Sequence, residues 1–289
     1  MNDERSAPWV GPLAVLGAAG LWALLGVWSR ELDGRGADAV DVAWWRAAGG
    51  GACFALHAAL RRAPWRIDPD DRQRLAAFTL FGVSVFYAAV PQAVSLGGVT
   101  LAFVLMYTAP VWVLVGTVVG APSTFDRRVA VLVSATVAGV AMVVAGGGGG
   151  ITVSAGSVAW GVASGLSYAS YYLVGRGLFE GRGAIATYAV ALPLGALPLG
   201  ALAGWRLPAA DQAVWVLGLV VASTYLPYQL LAAGLRRVPP TRAVVIATVE
   251  PVAAAVLAWA VYDERISPLA GAGAAVVIVS AALAALRRT

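Results

Sequence analysis

Apolar runs broken by Gly, Pro or short charged clusters recur along the whole chain, each near the roughly 20 residues that cross a bilayer as a helix. They predict ten helices, at residues 10–29, 39–60, 75–96, 99–119, 129–146, 154–175, 184–203, 212–234, 241–262 and 267–286. The shortest joints are Gly97-Gly98, which parts the third and fourth runs almost without a loop, and the glycine run 146–150 after the fifth. The first run follows Met1-Asn-Asp-Glu-Arg-Ser6, acidic where a signal peptide would be basic, so it reads as a retained span.

One block recurs. Thr100-Leu-Ala-Phe-Val-Leu-Met-Tyr-Thr-Ala-Pro110-Val matches Thr241-Arg-Ala-Val-Val-Ile-Ala-Thr-Val-Glu-Pro251-Val at constant offset, sharing Thr, Ala, Val, Pro and Val. Asp126-Arg-Arg128 and Asp263-Glu-Arg265 follow the two copies, and Trp22-Ala23 with Arg30 parallels Tyr168-Ala169 with Arg176. The chain therefore divides into two five-helix halves, residues 1–150 and 151–289, and an odd number of spans per half inverts the second against the first.

Composition sharpens this picture. Of 289 residues 60% are hydrophobic and 12% charged, against about 25% charged in soluble chains, and ten spans leave no room for a soluble catalytic domain. All 20 basic residues are Arg, so a lysine-bearing phosphate loop is excluded and ATP-driven pumping by this chain with it. Fifteen arginines fall on one alternate set of segments, including Arg5, Arg61, Arg62, Arg66, Arg127, Arg128, Arg236, Arg237, Arg287 and Arg288. Arg30, Arg35, Arg206 and Arg265 fall on the other, among acidic residues. The positive-inside rule then places both termini of a multi-pass membrane protein in the cytoplasm, and reads the basic balance as topology and not as nucleic-acid binding. A single cysteine, Cys53, and a single histidine, His57, exclude an internal disulfide and a histidine-based metal site, and no cofactor or protein partner is implied. Both are expected to be packing residues.

These blocks, together with the acidic turn Asp263-Glu264 and Arg46 in the second span, resemble the drug/metabolite transporter superfamily, specifically its ten-helix EamA-type exporters. The resemblance covers nearly the whole chain. It implies an all-α integral membrane fold of two inverted repeats around a central cavity lined mainly by spans one, three, four, six, eight and nine. It also implies export of amino acids, related metabolites or lipophilic cations, with bacterial exporters of aromatic and other neutral amino acids the nearest likeness. The loop Gly120-Ala-Pro-Ser-Thr-Phe-Asp126 departs from the pattern by lacking a Glu.

Glu250 is the only acidic residue deep inside a predicted span, and a carboxylate there needs a wet cavity or a partner. It is the candidate contact for a substrate's amino group or cation, and a candidate proton carrier. Its counterpart in the first half is Ala109. Pro91, Pro110, Pro227 and Pro251 lie within spans three, four, eight and nine, where a kink frees backbone carbonyls beside a cavity. Ser157, Gly161, Ser164, Tyr168, Tyr171 and Gly175 share one face of span six. With Trp22, Tyr87, Gln92, Tyr107, Tyr225 and Gln229, the tyrosines Tyr168 and Tyr171 form an expected aromatic and amide wall for an amphipathic substrate.

Trp9, Trp65, Trp205 and Tyr262 sit at span ends and are expected to anchor at the interface. Arg46 is expected to reach outward toward Asp41, with a pairing to Glu250 across the bundle as the alternative. A carrier working by alternating access accounts for the repeat, the prolines and the buried acid; a proton-coupled multidrug antiporter using Glu250 is the competing reading. A membrane-embedded enzyme lacks the groups to build a site, and a scaffold needs none of these features.

Overall fold

The computed structural model describes residues 9–63, 67–121, 125–148 and 151–286. Trp65 and the arginines at 5, 66, 287 and 288 lie outside the described residues. The elements among the described residues are helices, with no strand, as a bilayer requires of a chain whose backbone groups must be satisfied within each segment. Among the described residues seven helices are long and apolar enough to cross a membrane, and Ala109–Gly120 is a shorter apolar helix. Ala39–Leu60 and Ala155–Gly181 are long but more polar, and the helix running to Met106 is two spans joined at Gly98, whose φ of 79° suits glycine alone. Ten spans result.

Their ends correct the sequence-based bounds in three places. Span three starts at Pro69, with Asp70 and Asp71 in its first turn, where proline and acids suit a helix N-terminus. Span one continues to Asp33 after a break at Leu24, and span six continues to Gly181, its last turns carrying the pair Arg176–Glu180 at 2.9 Å.

The most extensive contacts pair the helix of spans three and four with span six, span five with ten, two with seven, and one with eight. Exchanging the halves maps each of these pairs onto itself or onto another, so the two inverted repeats interlock about a shared axis. Small residues permit the approach, as membrane packing demands. A Cβ on Gly273 would press on the Gly139 carbonyl between spans five and ten, and one on Gly51 would press on Pro193 between spans two and seven.

The four prolines do not kink helix centres as expected of all of them. Span four breaks between Met106 and Ala109, and span nine between Ala247 and Glu250. The offset of 141 residues that relates Thr100 to Thr241 carries one break onto the other. Pro110 and Pro251 are each the second residue of the helix that follows, where a missing N–H costs nothing. At each break a threonine hydroxyl, Thr108 or Thr248, donates to the carbonyl three residues back, at 2.6 Å in both cases. Pro91 and Pro227 do lie inside helices as expected, Pro227 within the continuous helix Ala213–Leu235.

Candidate transport site

Spans three and eight each contain a π-helical turn, Phe78–Val85 and Val221–Tyr225. Such a turn adds a residue to the helical repeat, releases backbone carbonyls and rotates every following side chain. Two of the carbonyls, Gly82 and Ser223, are again 141 apart, and side chains satisfy both. Tyr171 from span six donates to Gly82 O at 2.5 Å, and the Arg46 Nη2 of span two donates to Ser223 O at 3.1 Å.

Arg46 is thereby fixed in the centre of the bundle, 9% exposed. Its Nε donates to Thr224 Oγ1 at 3.1 Å, and its guanidinium lies 4.8 Å over the Tyr87 ring. The glycine run of span two makes this reach feasible, since a Cβ on Gly50 would collide with the Thr224 methyl. Asp41, the expected partner of Arg46, instead meets Arg206 at 3.2 Å. No carboxylate among the described residues forms an ion pair with Arg46, and its hydrogen bonds use Nε and Nη2 alone.

Beside Arg46 the tyrosines form a connected hydrogen-bond chain. Tyr87 and Tyr228 join hydroxyl to hydroxyl at 2.6 Å, and Tyr228 joins Tyr171 at 2.9 Å. Trp22 packs edge-on against both Tyr228 and Tyr168, with ring centroids 6.0 and 6.3 Å apart, and Tyr188 stacks on Tyr228 at 4.8 Å. On the other side of Trp22, Tyr107 and Tyr168 are the tyrosines that interact electrostatically with Glu250, and Tyr172 donates to the Tyr168 hydroxyl at 3.3 Å. Glu250 opens the helix Glu250–Tyr262, whose N-terminal dipole favours a carboxylate. It is surrounded by protein yet keeps accessible surface, and Arg46 is the cation that attracts it. The Trp22 Nε1 and the Tyr188 hydroxyl are buried with no hydrogen-bond partner.

Of the residues expected in the wall, the structure brings together Trp22, Tyr87, Tyr107, Tyr168, Tyr171 and Glu250. Gln92 is exposed, five positions from Tyr87 and so turned well away on the helix. Tyr225 and Gln229 are half-buried, and Tyr225 turns to span two, where its hydroxyl bonds His57 Nδ1 at 2.6 Å. Sequence reasoning missed Tyr228, Tyr172 and Tyr188 and set Arg46 aside. The repeat offset held a signal for Tyr228, since it carries Tyr87 directly onto it.

On the side opposite the termini, polar contacts tie the two halves together. Arg30 pairs with Glu264 at 2.6 Å and lies 4.0 Å over Tyr262, and Arg206 pairs with Asp38 at 2.5 Å. Partial burial pushes the Asp38 carboxyl up, but its bonds from the Asp41 amide and Arg206 outweigh this and hold it below the usual range. Tyr262, expected as an interfacial anchor, thus serves a cross-half contact, while Trp9 and Trp205 are about half exposed.

The model of the EamA-like transporter family matches residues 9–145 and, a second time, residues 156–286. A solved structure described only as the crystal structure of a protein superposes with a TM-score of 0.76 over 95% of this chain and 96% of its own, at 17% identity. No curated protein shows significant sequence similarity to the chain.

Proposed function

The chain belongs to the EamA-like transporter family, and from that premise we propose that it is a secondary carrier exporting small amphipathic metabolites, foremost neutral and aromatic amino acids. In this reading its termini face the cytoplasm, following the arginine distribution, and it resides in a bacterial-type inner membrane. The observation that carries the reading is the central aromatic cluster with a carboxylate, Glu250, at one side and a guanidinium, Arg46, at the other. Aromatic faces accept an apolar side chain, and the two charges suit the polar end of an amino acid.

Alternating access of the halves draws support from one asymmetry. The half-helix Pro240–Ala247 buries nearly every residue, whereas its counterpart 99–106 in span four buries only Thr100, Ala102 and Met106. Equivalent sequences in unequal packing are what an inverted-repeat carrier needs, because exchanging the two packings reverses the open side.

The competing reading is a proton-coupled antiporter of lipophilic cations at Glu250. Arg46 argues against it, since a fixed positive charge in the same site repels a cation. Exchange in proteoliposomes decides between them: with unlabelled neutral amino acids inside and equal pH on both sides, labelled tryptophan, phenylalanine and threonine enter faster than into protein-free vesicles. Absence of entry, with uptake of cationic dyes under a pH gradient, establishes the antiporter instead.

A further inference from the structure

We propose that Arg46 is the carboxylate anchor of the transport site and that Arg46 and Glu250 together select a zwitterion, rejecting the corresponding amine and the corresponding acid. This rests on the amino-acid reading above and deepens it.

A guanidinium inside a bundle is expensive and is normally retained with a partner. Among the described residues Arg46 has only neutral acceptors, Thr224 Oγ1 and Ser223 O, which hold Nε and Nη2 and leave Nη1 without a hydrogen bond. Both bonds fix its orientation without neutralising it, which leaves an oriented fork edge for a carboxylate. Glu250 carries the opposite sign: it opens its helix beside Tyr107 and Tyr168, and no cation lies within ion-pair distance among the described residues.

Between the two charges runs an unbroken series of side chains, Tyr87, Tyr228, Trp22 and Tyr168. Within it the indole N–H of Trp22, 5% exposed, is an unused donor. Arg46 belongs to the first half and Glu250 to the second. A zwitterion held by both charges therefore spans the interface whose rearrangement moves it.

The test is competition binding to the purified full-length chain in lipid nanodiscs, using L-tryptophan, tryptamine and indole-3-propionate. Charge-assisted hydrogen bonds are strong enough that losing one costs about tenfold or more in affinity. Wild type binds tryptophan tightest. Arg46→Gln weakens tryptophan and indole-3-propionate by about tenfold or more and leaves tryptamine within about twofold, and Glu250→Gln does the converse. Should Arg46→Gln not fold, Arg46→Lys carries the test: it keeps the charge but loses the fork, so tryptophan and indole-3-propionate weaken while tryptamine does not.

Equal effects of the Arg46 variant on tryptamine and tryptophan overturn the assignment, as does recovery of tryptophan affinity in the Arg46→Gln/Glu250→Gln double variant, which marks a static pair. Both results leave amino-acid transport standing. Wild type that binds none of the three overturns the amino-acid reading itself, and this assignment with it.

Discussion

Tyr87 and Tyr228 share a hydroxyl hydrogen bond of 2.6 Å and stand 141 residues apart, the same offset that relates Thr100 to Thr241 and Pro110 to Pro251. Residues that are equivalent in two related halves can touch each other only where the relating axis passes. Trp22 and Tyr168, matched in spans one and six, also touch, at 6.3 Å between rings. The axis thus runs through the aromatic cluster that lies between Arg46 and Glu250.

Tyr228→Phe removes the one hydroxyl bonded to both Tyr87 and Tyr171. Hydrogen bonds inside membrane bundles are worth about 0.6 to 1.7 kcal/mol each. Thermal unfolding in detergent should show Tyr228→Phe less stable than Tyr87→Phe, in which Tyr228 keeps Tyr171 as a partner. Equal melting of the two variants would show that the chain of hydroxyls is not continuous.

Gly51→Ala places a Cβ about 2.9 Å from the Pro193 ring and 3.0 Å from its nitrogen, a rigid neighbour. Overpacking of that kind costs roughly 1–3 kcal/mol. Gly20→Ala, with nothing near its Cβ, should melt with wild type or slightly above it, since alanine is the better helix former. The same unfolding assay reads both.

Arg206 neutralises Asp38 and also Asp41, whose side chain is only 3% exposed. Removing it as Arg206→Ala leaves a buried carboxylate without its cation and should cost about 3 kcal/mol. Arg30→Ala, which breaks an exposed pair with Glu264, should cost less than about 1 kcal/mol. A greater loss at Arg30 would contradict this account of the face opposite the termini.

Because Asp38 is held below its ordinary value of 3.8, its bond to Arg206 is fully present above that value and is lost only as pH falls beneath it. The mobility of a spin label on a cysteine placed at Pro208, in the same connection and with Cys53 replaced by serine, should therefore not change between about pH 8 and pH 5. A transition in that window would assign the tie to another group.

The spans were legible in the sequence because apolar runs of membrane length leave little else to form, and the halves because Ala102 to Pro110 and Ala243 to Pro251 kept their spacing. The site was legible only in part. Tyr87, Tyr107, Tyr168 and Glu250 stand out by chemistry, but Tyr225 and Gln229 were favoured over Tyr228 because the π turn at Val221–Tyr225 shifts the facing side chains and leaves no mark in the apolar pattern. Arg46 was hidden for a different reason. Its partners Ser223 and Thr224 lie 177 and 178 residues away, and local reading offers Asp41 first. The prolines misled slightly, since residues that break a helix interior also begin one.

The most direct measurement of the central claim is the initial rate of labelled tryptophan exchange in proteoliposomes at equal pH, with Glu250→Gln beside wild type. The account predicts exchange by wild type and a rate at least about tenfold lower in the variant, because the substrate's ammonium loses its carboxylate. Glu250→Gln exchanging at the wild-type rate and affinity would contradict it.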